Sequence, residues 1–293
     1  MRRIEERDYQ DFLRENKSVS IGQSRFQLGT RPSILEHGPP ADYELETGTV
    51  WSFPSRGGWA THRGDYRGNW SPYIPRNLIL KYSAPGEVVL DQMCGSGTTL
   101  VECKLLGRNG MGVDVNLDAI MVCHDRLGFE VPDAKSRVEL YLGDARDLDL
   151  IEDGAIDLVA THPPYAEIIP YTGRRVDGDL SGLKLPDYLK EMRAVAEESM
   201  RVLKPGRICA VLIGDTRRHL HYVPISAMVL ERFLEAGFVL KEDIIKVQWK
   251  MKATRERWRG RRDFYKIAHE HLYVFRKPLP DEKLSKYKYS MMV

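Results

Sequence analysis

The sequence predicts an α/β protein in which a mostly parallel sheet carries helices on both faces. Two observations predict this fold class. From Glu87 onward, short apolar runs that end in polar residues alternate with longer segments of helical pattern, and this order of elements is typical of parallel sheets. In addition, a glycine-rich turn follows the first apolar run and opens a helix, a junction typical of α/β proteins with a ligand crevice at the carboxyl ends of their strands.

The predicted strands and helices follow one another regularly from Glu87 to Arg276. The second of the three helices ends at Pro205 and Gly206, which interrupt helices. The predicted strands are residues 87–91, Gly110–Val115, Val138–Asp144, Ile156–Thr161, Arg207–Asp215, Val239–Trp249 and His271–Arg276. The predicted helices are Thr98–Leu106, Asp187–Leu203 and Ile225–Ala236.

The composition is that of a globular chain. Its 293 residues are sufficient for one large domain with a sizeable core. Hydrophobic residues make up 42% and charged residues 29%, which excludes a disordered or fibrous protein. Lys and Arg number 44 against 42 Asp and Glu. This balance excludes a histone-like polycation but leaves local basic surfaces open.

The chain divides into a central domain and a segment on either side. Residues 1–50 are polar and show no sustained period, so we expect an N-terminal extension that is ordered only where it contacts the main body. Residues 51–278 form the central domain and residues 279–293 a C-terminal tail. Within the domain, residues 251–268 form a basic insert with seven basic and two acidic residues.

We expect neither a secreted chain, nor a membrane protein, nor a metal site. The four cysteines include no C-x-x-C pair, which favours a reduced, cytoplasmic chain. The first ten residues are polar and the longest apolar runs span about six residues, too few for a signal peptide or a membrane span. The H-x-H pairs, His219 with His221 and His269 with His271, have no Cys or third ligand beside them in the sequence.

The glycine-rich turn lies in the string DQMCGSGTT. Gly95 and Gly97 allow the backbone to approach a ligand closely, and a helix that opens at Thr98 and Thr99 favours a negative group at its N-terminus. Leu100 stands where an NAD site would have a third small residue, and no G-K-[ST] string indicates a P-loop.

Three acids narrow the choice of cofactor. Asp91, Asp114 and Asp144 end three consecutive predicted strands, so they line one crevice at the carboxyl ends of the sheet. The alternative is that they only cap neighbouring helices. Three carboxylates suit a ligand with an ammonium group, a ribose and an adenine, which predicts S-adenosylmethionine.

The fourth strand runs into the string THPPY, residues Thr161, His162, Pro163, Pro164 and Tyr165, which we take as the catalytic motif. The two prolines fix the backbone and lack N–H donors, so the carbonyl before them is held rigidly as a hydrogen-bond acceptor. Acceptors that hold both N–H bonds of an exocyclic amine favour the geometry in which its lone pair attacks a methyl group. Tyr165 offers a face on which a base can stack. The alternative is a Pro-Pro loop with a buried tyrosine.

Together these motifs resemble those of the N4-cytosine and N6-adenine DNA methylase family. DQMCGSGTT, GVDV with Asp114, LGDA with Asp144 and THPPY occur in this order, and the resemblance covers residues 51–278. It implies a Rossmann-like methyltransferase fold with seven strands in the order 3-2-1-4-5-7-6, the seventh antiparallel, and makes residues 51–278 the catalytic domain.

The resemblance also implies how the cofactor is held. The methionine end of S-adenosylmethionine would lie near Asp91, Gly95 and Gly97, with the ribose on Asp114 and the adenine near Asp144. The segment around Pro72 and Arg76 resembles the family's N-terminal cofactor-contact segment, so both are candidate cofactor contacts.

His162 departs from the family motif, which has Asp, Asn or Ser at this position. A neutral imidazole accepts one hydrogen bond from an amine, whereas a protonated imidazole accepts none. Thr161 fits the cytosine-type pattern, so cytosine N4 is the favoured target. The alternative for His162 is a strand-end histidine that is satisfied by a backbone group.

Two segments are candidate nucleic-acid contacts, namely the loop 166–186 and the basic insert 251–268. The alternative for either is a solvated charged face. The candidate residues are Arg174, Arg175, Arg255, Arg257, Trp258, Arg259, Arg261 and Arg262. Small inserts favour structured RNA, such as ribosomal RNA, over duplex DNA.

Three alternatives to methylation of cytosine N4 in RNA stay open. The first is a DNA modification methylase that acts on cytosine N4 or adenine N6. The second is a protein glutamine methyltransferase, but the missing Asn and the arginine-rich insert count against it. The third is a nucleic-acid-binding module without activity, which the intact glycine-rich turn and the three acids oppose.

Overall fold

The computed structural model describes residues 1–30, 38–40, 42–132, 135–166, 171–172, 176–249, 259–261 and 263–292. The strands are β1 (Arg2–Ile4), β2 (Ser18–Ile21), β3 (Ser24–Gln27), β4 (Val50–Ser52), β5 (Val88–Asp91), β6 (Asn109–Asp114), β7 (Val138–Leu142), β8 (Ile156–Thr161), β9 (Leu203–Ile213), β10 (Thr216–Arg218), β11 (His221–Val223), β12 (Val239–Val247) and β13 (His269–Arg276). The α-helices are α1 (Glu6–Glu15), α2 (Tyr73–Tyr82), α3 (Thr98–Leu105), α4 (Leu117–Arg126), α5 (Leu185–Val202) and α6 (Ile225–Glu235).

The main sheet has nine strands in the order β1-β7-β6-β5-β8-β9-β13-β12-β4. Strands β7, β6, β5, β8 and β9 are parallel, whereas β13 runs antiparallel to both β9 and β12. The seven strands from β7 to β12 therefore have the order 3-2-1-4-5-7-6, and the predicted fold class is confirmed. The two outer strands, β1 and β4, were not predicted.

Side chains of the central strands alternate between the two faces of the sheet, and each face carries its own buried core. In β9, Cys209, Val211 and Ile213 belong to one buried cluster with side chains of α5 and α6. Ile208, Ala210 and Leu212 belong to another cluster with Ile74 and Leu78 of α2. Successive side chains of a strand point to opposite faces, so a run of apolar residues is buried on both sides. This explains why the central strands read as continuous apolar runs.

The N-terminal residues are more than an appendage to this sheet. Strand β1 pairs with β7 at the sheet edge, and the hairpin of β2 and β3 contributes Val19 and Phe26 to a cluster that includes Ile120 of α4. The fully buried Tyr9 donates a hydrogen bond from its hydroxyl to Asp125 of α4. Residues 1–28 therefore cover α4 and extend the sheet. Their elements are too short to leave a sustained pattern in the sequence.

A buried carboxylate holds the segment before α2 against α3. Glu102 of α3 is fully buried and accepts hydrogen bonds from Trp59 Nε1 at 2.7 Å, from His62 Nε2 at 2.7 Å and from an Arg76 guanidinium nitrogen at 2.8 Å. Burial lowers the pKa of His62, despite the adjacent Glu102 carboxylate. The positive charge beside Glu102 is therefore carried by Arg76, whose guanidinium also lies over the Tyr43 and Trp59 rings.

All four cysteines are buried free thiols, and burial raises the pKa of Cys103 well above its ordinary value. No helix in the described ranges combines the length and the apolar character needed to span a membrane.

The Glu102 cluster generates a stability prediction. Glu102→Ala leaves the buried Arg76 guanidinium without its carboxylate, and removing one partner of a buried ion pair costs about 3–5 kcal/mol. The matched control is Glu197→Ala, because Glu197 forms an ion pair with Arg193 on the exposed face of α5 and such pairs contribute about 0–1 kcal/mol. Urea denaturation of both variants tests this. Equal losses in the free energy of unfolding would show that the buried pair of Arg76 and Glu102 stabilises the fold no more than the exposed pair of Arg193 and Glu197.

Candidate functional site

The carboxyl ends of β5, β6, β7 and β8 open into one crevice. The space between its walls is about 800 Å³, a figure that includes space open to solvent. The lining residues that the sequence predicted are Asp91, Gly95, Thr98, Asp114, Asp144, His162 and Pro164. Because parallel strands end at the same edge of a sheet, residues far apart in the chain converge here.

Asp91 lies at the base of the crevice, where three donors orient its carboxylate. Thr161 Oγ1 donates to Oδ1 at 3.0 Å, the Met93 amide donates to the same oxygen at 3.3 Å, and the Thr99 hydroxyl donates to Oδ2. Burial raises the pKa of Asp91 to about 6, although these hydrogen bonds favour the carboxylate. Thr99 and Thr161 thus support Asp91 from behind the wall, and the buried Thr161 does not line the crevice.

Asp114 ties the glycine-rich turn to the end of β6. Its carboxylate accepts hydrogen bonds from the Gly95 amide at 2.9 Å and from the Asn116 amide at 2.9 Å. Burial raises the pKa of Asp114 to about 6. Gly95 has a φ of +50° and Gly97 a φ of +82°, and a Cβ at Gly97 would overlap the Cys123 sulfur. Gly97 therefore serves the packing of the turn and lies outside the crevice wall.

Asp144 lies at the third corner of the crevice, after β7. Arg146 grips its carboxylate through Nε at 3.0 Å and through a terminal nitrogen at 2.5 Å, and it also reaches Glu191 of α5. Gly178 passes directly over this carboxylate, because a Cβ at Gly178 would come within 2.5 Å of Asp144 Oδ2. Asp144 is thus fixed in direction and partly covered.

The opposite wall of the crevice comes from residues that the sequence did not single out as site residues. The Tyr66 ring packs on Gly95 and stacks with Tyr171 at 5.8 Å between centroids. Trp70 belongs to the same wall. The further lining residues are Gly68, Asn69, Gln92, Met93, Cys94, Ser96, Val115, Asn116, Gly143, Ala145, Thr172, Gly178, Asp179 and Leu180. The aromatic residues among residues 51–82 could have indicated a ligand-binding segment. Their position in the crevice wall, however, becomes clear only from the contact between Tyr66 and the glycine-rich turn.

His162 lines the crevice and has one ring nitrogen without a hydrogen-bond partner among the described residues. Its Nε2 lies 2.9 Å from the Tyr165 hydroxyl, and its ring is nearly parallel to that of Trp70, 5.9 Å away between centroids. The other ring nitrogen, Nδ1, is buried and has no hydrogen-bond partner among the described residues. Burial lowers the pKa of His162 to about 4, so the ring is neutral at physiological pH and one of its nitrogens is an acceptor.

Tyr165 is tied to two side chains that sequence reasoning missed. Its hydroxyl donates to Glu270 Oε1 at 2.9 Å, and Lys246 Nζ donates to Glu270 Oε2 at 2.8 Å. The Tyr165 ring packs on the backbone at Gly214 and does not line the crevice. Nothing in the sequence pairs Glu270 with Tyr165, since 105 positions separate them.

Pro72 and Arg76 are not where the resemblance implies. Arg76 is buried on α2, where it pairs with Glu102, and Pro72 lies beside Gly57 and Trp59. Neither residue lines the crevice. The expectation that they contact the cofactor is therefore corrected. The nearby residues that do line it are Tyr66, Gly68, Asn69 and Trp70.

Most of the candidate nucleic-acid contacts fall outside the described residues. Arg174, Arg175, Arg255, Arg257, Trp258 and Arg262 are among the residues left undescribed, whereas Arg259 and Arg261 are described and exposed. Beside them, the Tyr265 side chain is 93% exposed, and Trp249 is 52% exposed. The Arg217 guanidinium donates to the Tyr265 carbonyl at 2.8 Å, which ties this part of the basic insert to β10.

One histidine pair has an acid close by that the sequence did not reveal. Asp215 lies near His269 and His271, and one ligand atom of each lies within 4.8 Å of the others. The Asp215 carboxylate already accepts hydrogen bonds from the Ser226 amide and hydroxyl and from Tyr222.

Comparison with known proteins reveals relatives that act on different substrates. The chain is 26% identical over 170 residues to the tRNA (guanine(10)-N2)-dimethyltransferase of Methanothermobacter thermautotrophicus, covering 57% of this chain and 44% of that protein. It is 28% identical over 148 residues to the type II methyltransferase M.MjaI of Methanocaldococcus jannaschii, covering 42% and 48%. It is 34% identical over 133 residues to the release factor glutamine methyltransferase of Caulobacter vibrioides, covering 43% and 45%.

These alignments span less than half the length of each relative. The family profile described as DNA methylase, in contrast, matches residues 9–123 and 156–291, which is most of the chain. The match contains the glycine-rich turn with Asp91 and Asp114, and also the THPPY motif. The crevice, the motif and the strand order thus agree with one another, and the chain belongs to the N6/N4 DNA methylase family.

Proposed function

We propose that the protein transfers a methyl group from S-adenosylmethionine to an exocyclic amine of a nucleic-acid base, with cytosine N4 in structured RNA as the favoured target. The observation that carries this proposal is the unpartnered Nδ1 of His162, a buried ring nitrogen of a residue that lines a crevice together with three carboxylates. An acceptor in this place serves a ligand that brings an N–H donor. The amine of a nucleobase is such a donor.

The residues of the crevice fit S-adenosylmethionine. Asp91 would offer a carboxylate to the ammonium group, Asp114 would accept hydrogen bonds from the ribose hydroxyls, and Asp144 would lie near the adenine. Thr98, the first residue of α3, and Ser96 just before it line the crevice, and the N-terminus of this helix would favour the carboxylate of the methionine end. When bound, S-adenosylmethionine supplies an electrophilic methyl group.

His162 orients the amine that is methylated. The lone pair of an exocyclic amine is delocalised into the base, which makes the amine a poor nucleophile. A hydrogen bond from one N–H to His162 Nδ1, and a second to the rigid carbonyl ahead of Pro163, favour the pyramidal form of the amine. As the new N–C bond forms, the sulfonium S–C bond of the methyl donor would break, S-adenosylhomocysteine would leave, and the amine would give up one proton to solvent in the open crevice. This is catalysis by orientation and preorganised electrostatics.

Separate observations favour the base and the polymer. Cytosine is favoured because Thr161 matches the cytosine-type motif, although its hydroxyl is occupied by Asp91. RNA is favoured because the inserts are small, and because the longest of the three alignments is with a tRNA methyltransferase. The match with a type II methyltransferase supports DNA as the alternative polymer.

The test is incubation of the protein with methyl-labelled S-adenosylmethionine and, separately, with total RNA, genomic DNA and ribosome-associated protein from its own source. The labelled nucleoside is then identified by mass spectrometry. N4-methylcytidine in RNA supports the full proposal. N4-methyldeoxycytidine or N6-methyladenine changes the target but keeps the reaction class. Label in protein alone overturns the proposal in favour of the glutamine reaction, and absence of label from every pool overturns it outright.

The raised carboxyl pKa values predict how cofactor affinity depends on pH. The ammonium group of S-adenosylmethionine would bind the ionised form of Asp91, whose pKa is about 6 in the free protein. Ionisation is nearly complete at pH 7 and about one tenth complete at pH 5, so affinity for S-adenosylmethionine should fall about tenfold over this interval. Isothermal titration calorimetry measures it. Asp91→Asn is the control and should bind more weakly at pH 7 with a flatter pH dependence. Equal affinity of the unaltered protein at both pH values would contradict this role of Asp91.

The acceptor role of His162 predicts unequal effects of two substitutions. His162→Leu removes the acceptor and should lower kcat by about 10²–10³-fold, the loss typical of a deleted preorganised hydrogen bond. His162→Asn supplies an amide oxygen and should keep much more of the activity. Initial rates of methyl transfer measure both, and unchanged affinity for S-adenosylmethionine shows that the cofactor site is intact. If both variants lose activity equally, the acceptor role is wrong.

A further inference from the structure

A chain of hydrogen-bonded side chains connects β12 and β13 to the catalytic motif. Lys246 Nζ lies 2.8 Å from Glu270 Oε2, Glu270 Oε1 lies 2.9 Å from the Tyr165 hydroxyl, and this hydroxyl lies 2.9 Å from His162 Nε2. Only 8% of Glu270 is exposed, although it is ionisable. The chain ends at His162, whose other nitrogen has no partner.

The direction of each hydrogen bond in this chain follows from the charge of Glu270. Burial acts to raise the pKa of Glu270, but the ammonium group of Lys246 and the hydrogen bonds from Lys246 and Tyr165 outweigh it, so the pKa lies below its ordinary value. An ionised carboxylate only accepts hydrogen bonds. Tyr165, whose pKa is held well above its ordinary value by burial and by Glu270, must therefore donate its single proton to Glu270.

The position of the proton on His162 follows from the direction of the hydrogen bond between Tyr165 and Glu270. Because the Tyr165 proton points to Glu270, the Tyr165 oxygen can only accept from His162 Nε2. Nε2 must then carry the imidazole proton. A neutral imidazole has one N–H, so Nδ1 is left with a lone pair and no proton. Nδ1 is thus a hydrogen-bond acceptor because Glu270, two side chains away, is ionised.

We propose that Glu270 and Tyr165 are positioning residues that hold His162 in the Nε2–H tautomer, so that Nδ1 accepts a hydrogen bond from the substrate amine. This inference rests on the proposed function for the reaction that it serves. Lys246 keeps Glu270 ionised. The chain replaces the fixed carbonyl or carboxylate oxygen that Asn or Asp would supply at position 162, since a histidine is an acceptor only in the correct tautomer.

This inference assigns to Tyr165 a role that differs from base stacking. A stacking platform needs only the aromatic ring, whereas the tautomer lock needs the hydroxyl. Tyr165→Phe separates the two, because it keeps the ring that packs on Gly214 and removes only the hydrogen-bonded oxygen. The control is Tyr188→Phe. Tyr188 is also fully buried, and its hydroxyl has no hydrogen-bond partner among the described residues.

The test compares kcat, KM for the nucleic acid and affinity for S-adenosylmethionine in both variants. Tyr165→Phe should lower kcat about tenfold to a hundredfold, as removal of an orienting partner does, with cofactor affinity and melting temperature close to those of the unaltered protein. Tyr188→Phe should leave kcat unchanged. If Tyr165→Phe keeps full kcat while the unaltered protein is active, the inference is overturned and the proposed function stands.

A second readout is independent of turnover. In protein labelled with ¹⁵N-histidine, long-range ¹H–¹⁵N spectra report which ring nitrogen of His162 carries the proton, and the missing resonance in His162→Asn provides the assignment. The unaltered protein should show only the Nε2–H tautomer, and Tyr165→Phe should show a mixture. An Nδ1–H tautomer in the unaltered protein would overturn the inference, whether or not any nucleic acid is methylated.

Discussion

The buried ion pair between Lys246 and Glu270 is the interaction on which the chemistry of the crevice depends. Neither residue touches the crevice, and burying two charges is costly unless further hydrogen bonds satisfy them. Here the remaining carboxylate oxygen is satisfied by Tyr165, which in turn accepts from His162. A fixed negative charge inside the domain therefore decides that the crevice presents an acceptor rather than a donor. An acceptor at this position suits the N–H groups of an amine, whereas a donor would suit a carbonyl oxygen.

The sheet topology explains how that charge comes to lie beside the motif. Parallel strands bring the three acids and the THPPY motif to one edge. β13 enters the sheet from this edge, because it runs antiparallel between β9 and β12. Its second residue, Glu270, thus lies near Gly214, where the backbone after β9 contacts the Tyr165 ring. The reversed strand therefore supports the motif from behind, while the parallel strands form the crevice in front of it.

The fold could be predicted from the sequence further than the site. Apolar runs with terminal acids were sufficient for the central strands and for the three carboxylates, because both depend on local patterns. The strand order, in contrast, was implied by the resemblance to the methylase family. The partners of Arg76 and Tyr165 could not be predicted, since Glu102 is 26 and Glu270 is 105 positions away. The short N-terminal strands left no periodic signal either. Local pattern thus predicts which residues reach the crevice edge, whereas long-range contacts decide which of them face it.

The most direct measurement of the central claim is a crystal structure of the protein with S-adenosylhomocysteine and cytidine. If His162 is the acceptor, the cytosine amine should lie within about 2.7–3.2 Å of His162 Nδ1, and the ribose of the cofactor product should contact Asp114. His162 should keep its contact with the Tyr165 hydroxyl. A cytosine bound with its amine turned away from His162, or a protein group bonded to Nδ1 in its place, would contradict the account.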